Sequence, residues 1–196
     1  ELRTADLSDL DTSRVKNMNS MFSDCSKLSS VDLSSFDTGR VENMNSMFSA
    51  CSSLSNVDIR SFDTGSVTDM PYMFSGCSEL RSADLSSFDT SQVRTMNGMF
   101  ARCRNLQWID LRSFNTSRVE TMNGMFGGCR KLRAIAPPKP YHTYTEMLKD
   151  RLVEHKELKA EDIVSVFDMS NVQDQTGMFA ESSMDPNRSL ISPEVK

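Results

Sequence analysis

Apolar residues in this chain recur at a step of 26. Phe22, Phe48, Phe74, Phe100 and Phe126 keep it, as do Met18, Met44, Met70, Met96 and Met122. Val15, Val41, Val67, Val93 and Val119 run ahead of the methionines, and Cys25, Cys51, Cys77, Cys103 and Cys129 follow the phenylalanines. Leu28, Leu54, Leu80, Leu106 and Leu132 come three residues after each cysteine. An unbroken period of this length predicts stacked units. Propeller blades need about forty residues or more, so the prediction is a solenoid.

Within one unit the pattern changes character. Leu28, Val31 and Leu33 alternate with Asp32 in the manner of a short strand. Ser34 to Gly39 supply turn chemistry. Val41 and Met44 read as a second extended or turn segment, and Met47, Phe48 and Cys51 recur at helical spacing, which predicts about one helical turn. The fold class expected is an α/β repeat solenoid with short helical turns on the side opposite its strands. One unit alone cannot offset the entropy of ordering its backbone; its apolar side chains must bury against copies above and below.

The regular units fill residues 1–135. Pro137, Pro138 and Pro140 then break the next strand, because proline cannot donate to a ladder. Residues 136–162 are expected to hold this break and a helical insert, with Met147, Leu148, Leu152 and Val153 of Tyr144–Leu158 along one side. The insert is read as a cap over the exposed end of the stack, with partner docking as the rival. A degenerate last repeat occupies 163–182, where Gln175 and Ser182 replace the usual Met and Cys. The tail, 183–196, carries Pro186 and Pro193 and is expected to be loosely ordered. The chain opens at Glu1 partway through a repeat, as expected of a piece of a longer protein.

Composition narrows the functional classes. A formal charge of −5 argues against nucleic acid, whose binding is dominated by Lys and Arg on phosphates. No stretch approaches the apolar length of a membrane span. The five cysteines point the same way in successive copies, which does not offer disulfide geometry. Their count is odd, no C-x-x-C occurs, and only His142 and His155 could assist a metal. They are expected to be small buried hydrophobes.

The stretch MFSGCSELRSADLSSFDTSQVRTMNGMF, Met73–Phe100, resembles the 26-residue repeat of BspA-like bacterial surface proteins, a divergent branch of the leucine-rich repeats. The resemblance covers residues 1–135 and returns as FDMSNVQDQTGMF at Phe167–Phe179. It implies a right-handed stack with a parallel β-sheet on its concave side. It also implies a secreted or cell-surface protein used in adhesion and partner binding, with no catalytic residues.

Asp6, Asp32, Asp58, Asp84 and Asp110 hold the outward position of each predicted strand. Neighbouring strands lie about 4.8 Å apart, and like charges so placed repel. Either a ligand neutralises the column (calcium, a basic group or a glycan), or each Asp accepts hydrogen bonds from nearby Ser and backbone groups while Arg60 and Arg112 share the charge. No loop gathers the clustered oxygen ligands usual for calcium, so no cofactor is expected. A second column, Asp11, Asp37, Asp63, Asp89 and Asn115, precedes Thr12, Thr38, Thr64, Thr90 and Thr116 and is expected to cap turns through its own backbone. Trp108 stands where earlier units carry Ser30, Asn56 and Ser82, as an aromatic anchor or as a shield for the last regular strand.

No nucleophile–base pair or phosphate loop emerges, and no enzyme is expected. The function expected is a surface-displayed module that recognises an extracellular protein or glycan on its concave face. Asp32, Asp58, Arg60, Asp84, Trp108, Asp110 and Arg112 are the candidate contacts. A structural spacer and an intracellular partner-binding solenoid of the inhibitor or immunity type are the alternatives. Unpaired cysteines fit a reducing cytoplasm at least as well as an oxidising exterior.

Overall fold

The structure, a computed structural model, describes residues 3–111, 113–132, 134–135, 173–174, 176–180 and 182. The predicted helical insert, the tail and Arg112 lie outside the described residues. Each 26-residue unit forms one coil, and the coils stack. The rings of Phe22, Phe48, Phe74, Phe100 and Phe126 lie 5.3 to 5.6 Å apart with planes within 8° of parallel. Phe179 adds a sixth ring at 5.6 Å from Phe126, so the degenerate repeat packs directly on the fifth coil. The methionine, valine, leucine and cysteine columns fill the same interior, and from the second coil onward they are almost wholly buried.

The one-turn helix expected at Met47–Cys51 is absent: among the described residues this segment is a run of tandem turns. Alternate amides explain it. The N–H groups of Met44, Ser46, Phe48 and Ala50 donate to Asp69, Pro71, Met73 and Ser75 of the next coil at 2.7 to 2.9 Å. Those of Met47, Ser49 and Cys51 fold back to Met44, Ser46 and Phe48, three residues earlier. A helix would direct every N–H along its own chain; here every second one holds the neighbouring coil. The arrangement requires left-handed backbone twice per coil, as at Ser46 (φ 56°) and Ala50 (φ 58°). Because tandem turns also place side chains three and four residues apart together, the spacing mimics a helix.

Beside this ladder, isolated parallel bridges link Asn17, Asn43, Asp69, Thr95, Thr121 and Asp174 in an unbroken row. Pro71 fits here because its counterpart in the coil before, Asn45, spends its N–H on the Asn43 side chain at 2.8 Å and not on the ladder.

The predicted strands keep their alternation. Leu54, Val57 and Ile59 are buried while Asp58 is exposed, and Leu80, Ala83 and Leu85 repeat this around Asp84. The hydrogen bonding of a wide sheet does not accompany it. Among the described residues the strands are β1 (Trp108–Ile109) and β2 (Ala134–Ile135), paired parallel. Earlier coils carry isolated bonds on this side, such as Arg81 N–H to Ser55 O at 3.4 Å.

Two polar ladders run through the interior. The Thr38 hydroxyl donates to Asp63 O at 2.9 Å and accepts from Asp63 N–H at 2.8 Å. Thr12 and Thr90 do the same with Asp37 and Asn115. These threonines are buried, so each pairing satisfies a hydroxyl and a backbone group that would otherwise be stranded. The thiols of Cys51, Cys77, Cys103 and Cys129 donate to the carbonyls of Phe22, Phe48, Phe74 and Phe100 at 3.0 to 3.1 Å. All five cysteines are free, and all but Cys25 are buried.

Candidate functional site

The outward aspartates form the column that the repeat dictates, and most of its carboxylates are occupied from within. Asp84 accepts from the N–H and hydroxyl of Ser86 at 3.0 and 2.6 Å, Asp6 does so from Ser8, and Asp32 accepts from Ser34 N–H at 2.9 Å. Hydrogen bonds from Ser8 lower the pKa of Asp6, and those from Ser34 lower that of Asp32 against desolvation and the like charges of Asp58 and Asp6. Asp6, Asp32 and Asp84 thus have partners in the Ser two residues on.

Asp58 differs because Arg60 stands where Asp6, Asp32 and Asp84 have Ser8, Ser34 and Ser86, as Arg112 does after Asp110 in the sequence. The Arg60 guanidinium grips the Asp58 carboxylate with two bonds, Nε to Oδ1 at 3.0 Å and Nη2 to Oδ2 at 2.7 Å. These bonds, with the Arg60 N–H at 3.2 Å, hold Asp58 down to about 2. Arg60 also feels Asp84 in the next coil. Asp32, Leu33, Ser34, Asp58, Arg60 and Ser61 line a shallow depression of about 350 Å³. The structure thus brings Asp32, Asp58 and Arg60 together, with Asp84 adjoining. Trp108 and Asp110 stand further along, both half-buried, with Trp108 paired to Ala134 across β1 and β2.

The second aspartate column caps turns as expected. Asp37, Asp63, Asp89 and Asn115 accept from the N–H two residues on at 2.9 to 3.1 Å.

A second depression, of about 410 Å³ and lined by Arg94, Ser117, Arg118, Glu120 and Gln173, was not singled out by sequence reasoning. Its signal was present in the column Lys16, Glu42, Thr68, Arg94 and Glu120, where charge alternates irregularly while the neighbouring valines do not vary. Lys16 and Glu42 pair at 2.7 Å across the first two coils. Arg118 is oriented by Gln92 at 2.6 Å. Among the described residues no group of three or more His, Cys, Asp or Glu is placed to hold a metal, and no helix is long and apolar enough to cross a membrane.

The crystal structure of a leucine rich repeat protein from T. pallidum is similar over 68% of this chain and 67% of its own, at 17% identity and a TM-score of 0.43. No curated protein matches the chain. The family described as "Mycoplasma protein of unknown function, DUF285" matches at residues 2–79 and again at 49–136. These matches overlap, cover the span of the regular repeats and take in more than half of the 196 residues; the chain belongs to the DUF285 family.

Proposed function

We propose that this solenoid is a non-catalytic binding module of the BspA-like type, displayed at a cell surface or secreted, that takes up an extracellular protein or glycan. Its residue set is Asp32, Asp58, Arg60, Asp84, Trp108 and Asp110, with Arg112 as the sequence neighbour that would complete it. The observation that carries the reading is the depression in which Asp32, Asp58 and Arg60 meet. The core consumes the repeating apolar side chains, so variation between coils is concentrated on the exposed columns, and the Ser-to-Arg change at position 60 is such a variation. On the resemblance stated above, the stack is right-handed and this side is concave.

A basic partner surface suits the column, because carboxylates in register at the step of a coil attract Lys and Arg from a distance and set orientation. The test is binding of the chain to arrays of extracellular-matrix proteins and glycans, at low and high salt, with and without calcium, beside an Asp32→Asn, Asp58→Asn, Trp108→Ala triple variant. Binding lost in the variant and weakened by salt supports the reading. Binding that the variant retains moves the site elsewhere, and silence across the arrays counts against adhesion by this segment.

A further inference from the structure

We infer that the turns around Cys103 and Cys129 carry a second binding site, whose ligand is a linear sulfated polysaccharide. It uses none of the residues of the acidic column and stands or falls separately from it.

The residue before each cysteine and the two after it lie at the outer edge of the coil. Through the first three coils the charged residues at these positions are Asp24, Lys27 and Glu79, of mixed sign. The next two coils bring Arg102, Arg104, Arg130 and Lys131, all exposed and all positive. Among the described residues none of these four side chains is engaged in an ion pair or a hydrogen bond.

The arginines displace a structural contact. Ser52 and Ser78 stand where Arg104 and Arg130 do, and their hydroxyls donate to the carbonyls of Ser26 and Ser52 in the coil before at 3.1 and 3.2 Å. The fourth and fifth coils give up this tie between neighbours and carry unpaired charge in its place. The two arginines are in register on coils whose Phe100 and Phe126 rings lie 5.6 Å apart, and like charges so stacked repel. Arg102 adds to the crowding. Its backbone is left-handed, with φ 60°, and its N–H donates to Gly127 O at 2.6 Å. A Cβ on Gly128 would lie 3.5 Å from Arg102 Cγ, so the stem of Arg102 lies against the coil that carries Arg130.

Four cations on an open edge suit several anions that arrive on one chain, because each contact raises the effective concentration for the next. Guanidinium forks match oxyanions, and a sulfate ester offers three oxygens, so one group can bridge Arg104 and Arg130. The footprint is two coils wide, and the remainder of the protein opposes a broad anionic partner. Without these four charges the net charge would be −9, four below the −5 of the whole chain. An anionic membrane or a long nucleic acid meets that repulsion, whereas a narrow saccharide chain along the edge escapes most of it.

The experiment is isothermal titration calorimetry on the 196-residue chain at low and high salt. The probes are a heparin octasaccharide, an unsulfated hyaluronan octasaccharide, octathymidylate, and vesicles of phosphatidylcholine with phosphatidylserine. Three proteins are compared: wild type, an Arg104→Ser, Arg130→Ser double variant, and an Arg14→Gln, Lys16→Gln double variant that removes the same charge elsewhere. The heparin fragment should bind wild type and the Arg14, Lys16 variant, more weakly as salt rises, with a loss of at least about tenfold in the Arg104, Arg130 variant. That variant should melt no lower than wild type, since serine is the residue the earlier coils use there. Lost binding at undiminished stability separates a binding role from a structural one. The inference is overturned by absence of heparin binding, by equal or tighter binding of any other probe, or by equal losses in the two variants. Binding that survives in the Arg104, Arg130 variant, or that falls only with its melting temperature, overturns it as well.

Discussion

The two long sides of this stack share a period but are held differently. On the side of Met44–Cys51, every second amide bonds across to the next coil, and the phenylalanine rings and thiols lie beneath. On the side of Leu54–Arg60, side chains alternate in and out, but inter-coil backbone bonds are sparse until β1 meets β2. The first side carries cohesion; the second is left to vary on its exposed columns. Conserving a period therefore does not mean spreading the adhesion evenly over each unit.

Substitutions can break or sharpen this contrast. The largest loss is expected from Phe74→Ala, which removes a ring sandwiched at 5.4 and 5.6 Å and leaves a cavity on the cohesive side. A destabilisation of about 3–5 kcal/mol in chemical denaturation is expected; a value under 1 kcal/mol would mean that the stack does not depend on its rings. Thr38→Val comes next. It leaves the N–H and carbonyl of Asp63 without the hydroxyl that serves both, at a cost of about 1–3 kcal/mol. Thr38→Ser, which keeps the hydroxyl, should recover part of that loss.

The buried thiols give the contrast a pH signature. Burial pushes Cys51 and Cys129 up to about 12, and Cys77 and Cys103 upward as well, from an ordinary value of 9.0. The folded protein thus holds these protons after the unfolded chain has released them. Their contribution is complete below pH 9.0 and declines as pH rises toward about 12. Thermal melts should show an alkaline fall in the midpoint that becomes shallower in Cys51→Ala; an unchanged slope would assign the fall to other groups.

Asn45→Pro should cost only about 1–2 kcal/mol, since the bond of its N–H to the Asn43 side chain and the bond of the Ser46 hydroxyl to its own side chain are lost while Pro71 already occupies this position one coil on. Unfolding of that variant would show that the N–H matters more than the ladder geometry implies. The smallest effect belongs to Asp58→Asn, on an exposed side chain whose ion pair is largely screened by solvent. Its signature lies at acid pH. Because Arg60 holds Asp58 at about 2, below its ordinary 3.8, its contribution is present above 3.8 and is lost as pH falls toward 2. The variant's melting profile should be flatter across that window.

Much of this was readable in the chain. The step of 26 residues predicted the stack, the alternation around Asp58 predicted which side chains point outward, and the Asp-Thr pairs predicted the turn caps. The turn ladder was not readable, for a physical reason. Its left-handed positions hold Ser20, Asp24, Ala50, Tyr72 and Arg102 as well as glycines, so the usual glycine signal is diluted. What stabilises those conformations is the neighbouring coil, which no local window contains. The acidic column was legible as a column, while the grip of Arg60 on Asp58 needed a structure to see.

The near-parallel phenylalanine rings carry a genetic consequence. Successive rings are inclined by only 5° to 8°, so each coil is close to a translated copy of the last. The upper surface of any regular coil then fits the lower surface of any other. An unequal crossover that removes or duplicates one 78-base-pair repeat, the length that encodes 26 residues, joins two surfaces that are already compatible. Such an event changes the reach of the protein and the pattern on its exposed columns in a single generation, without requiring a new interior.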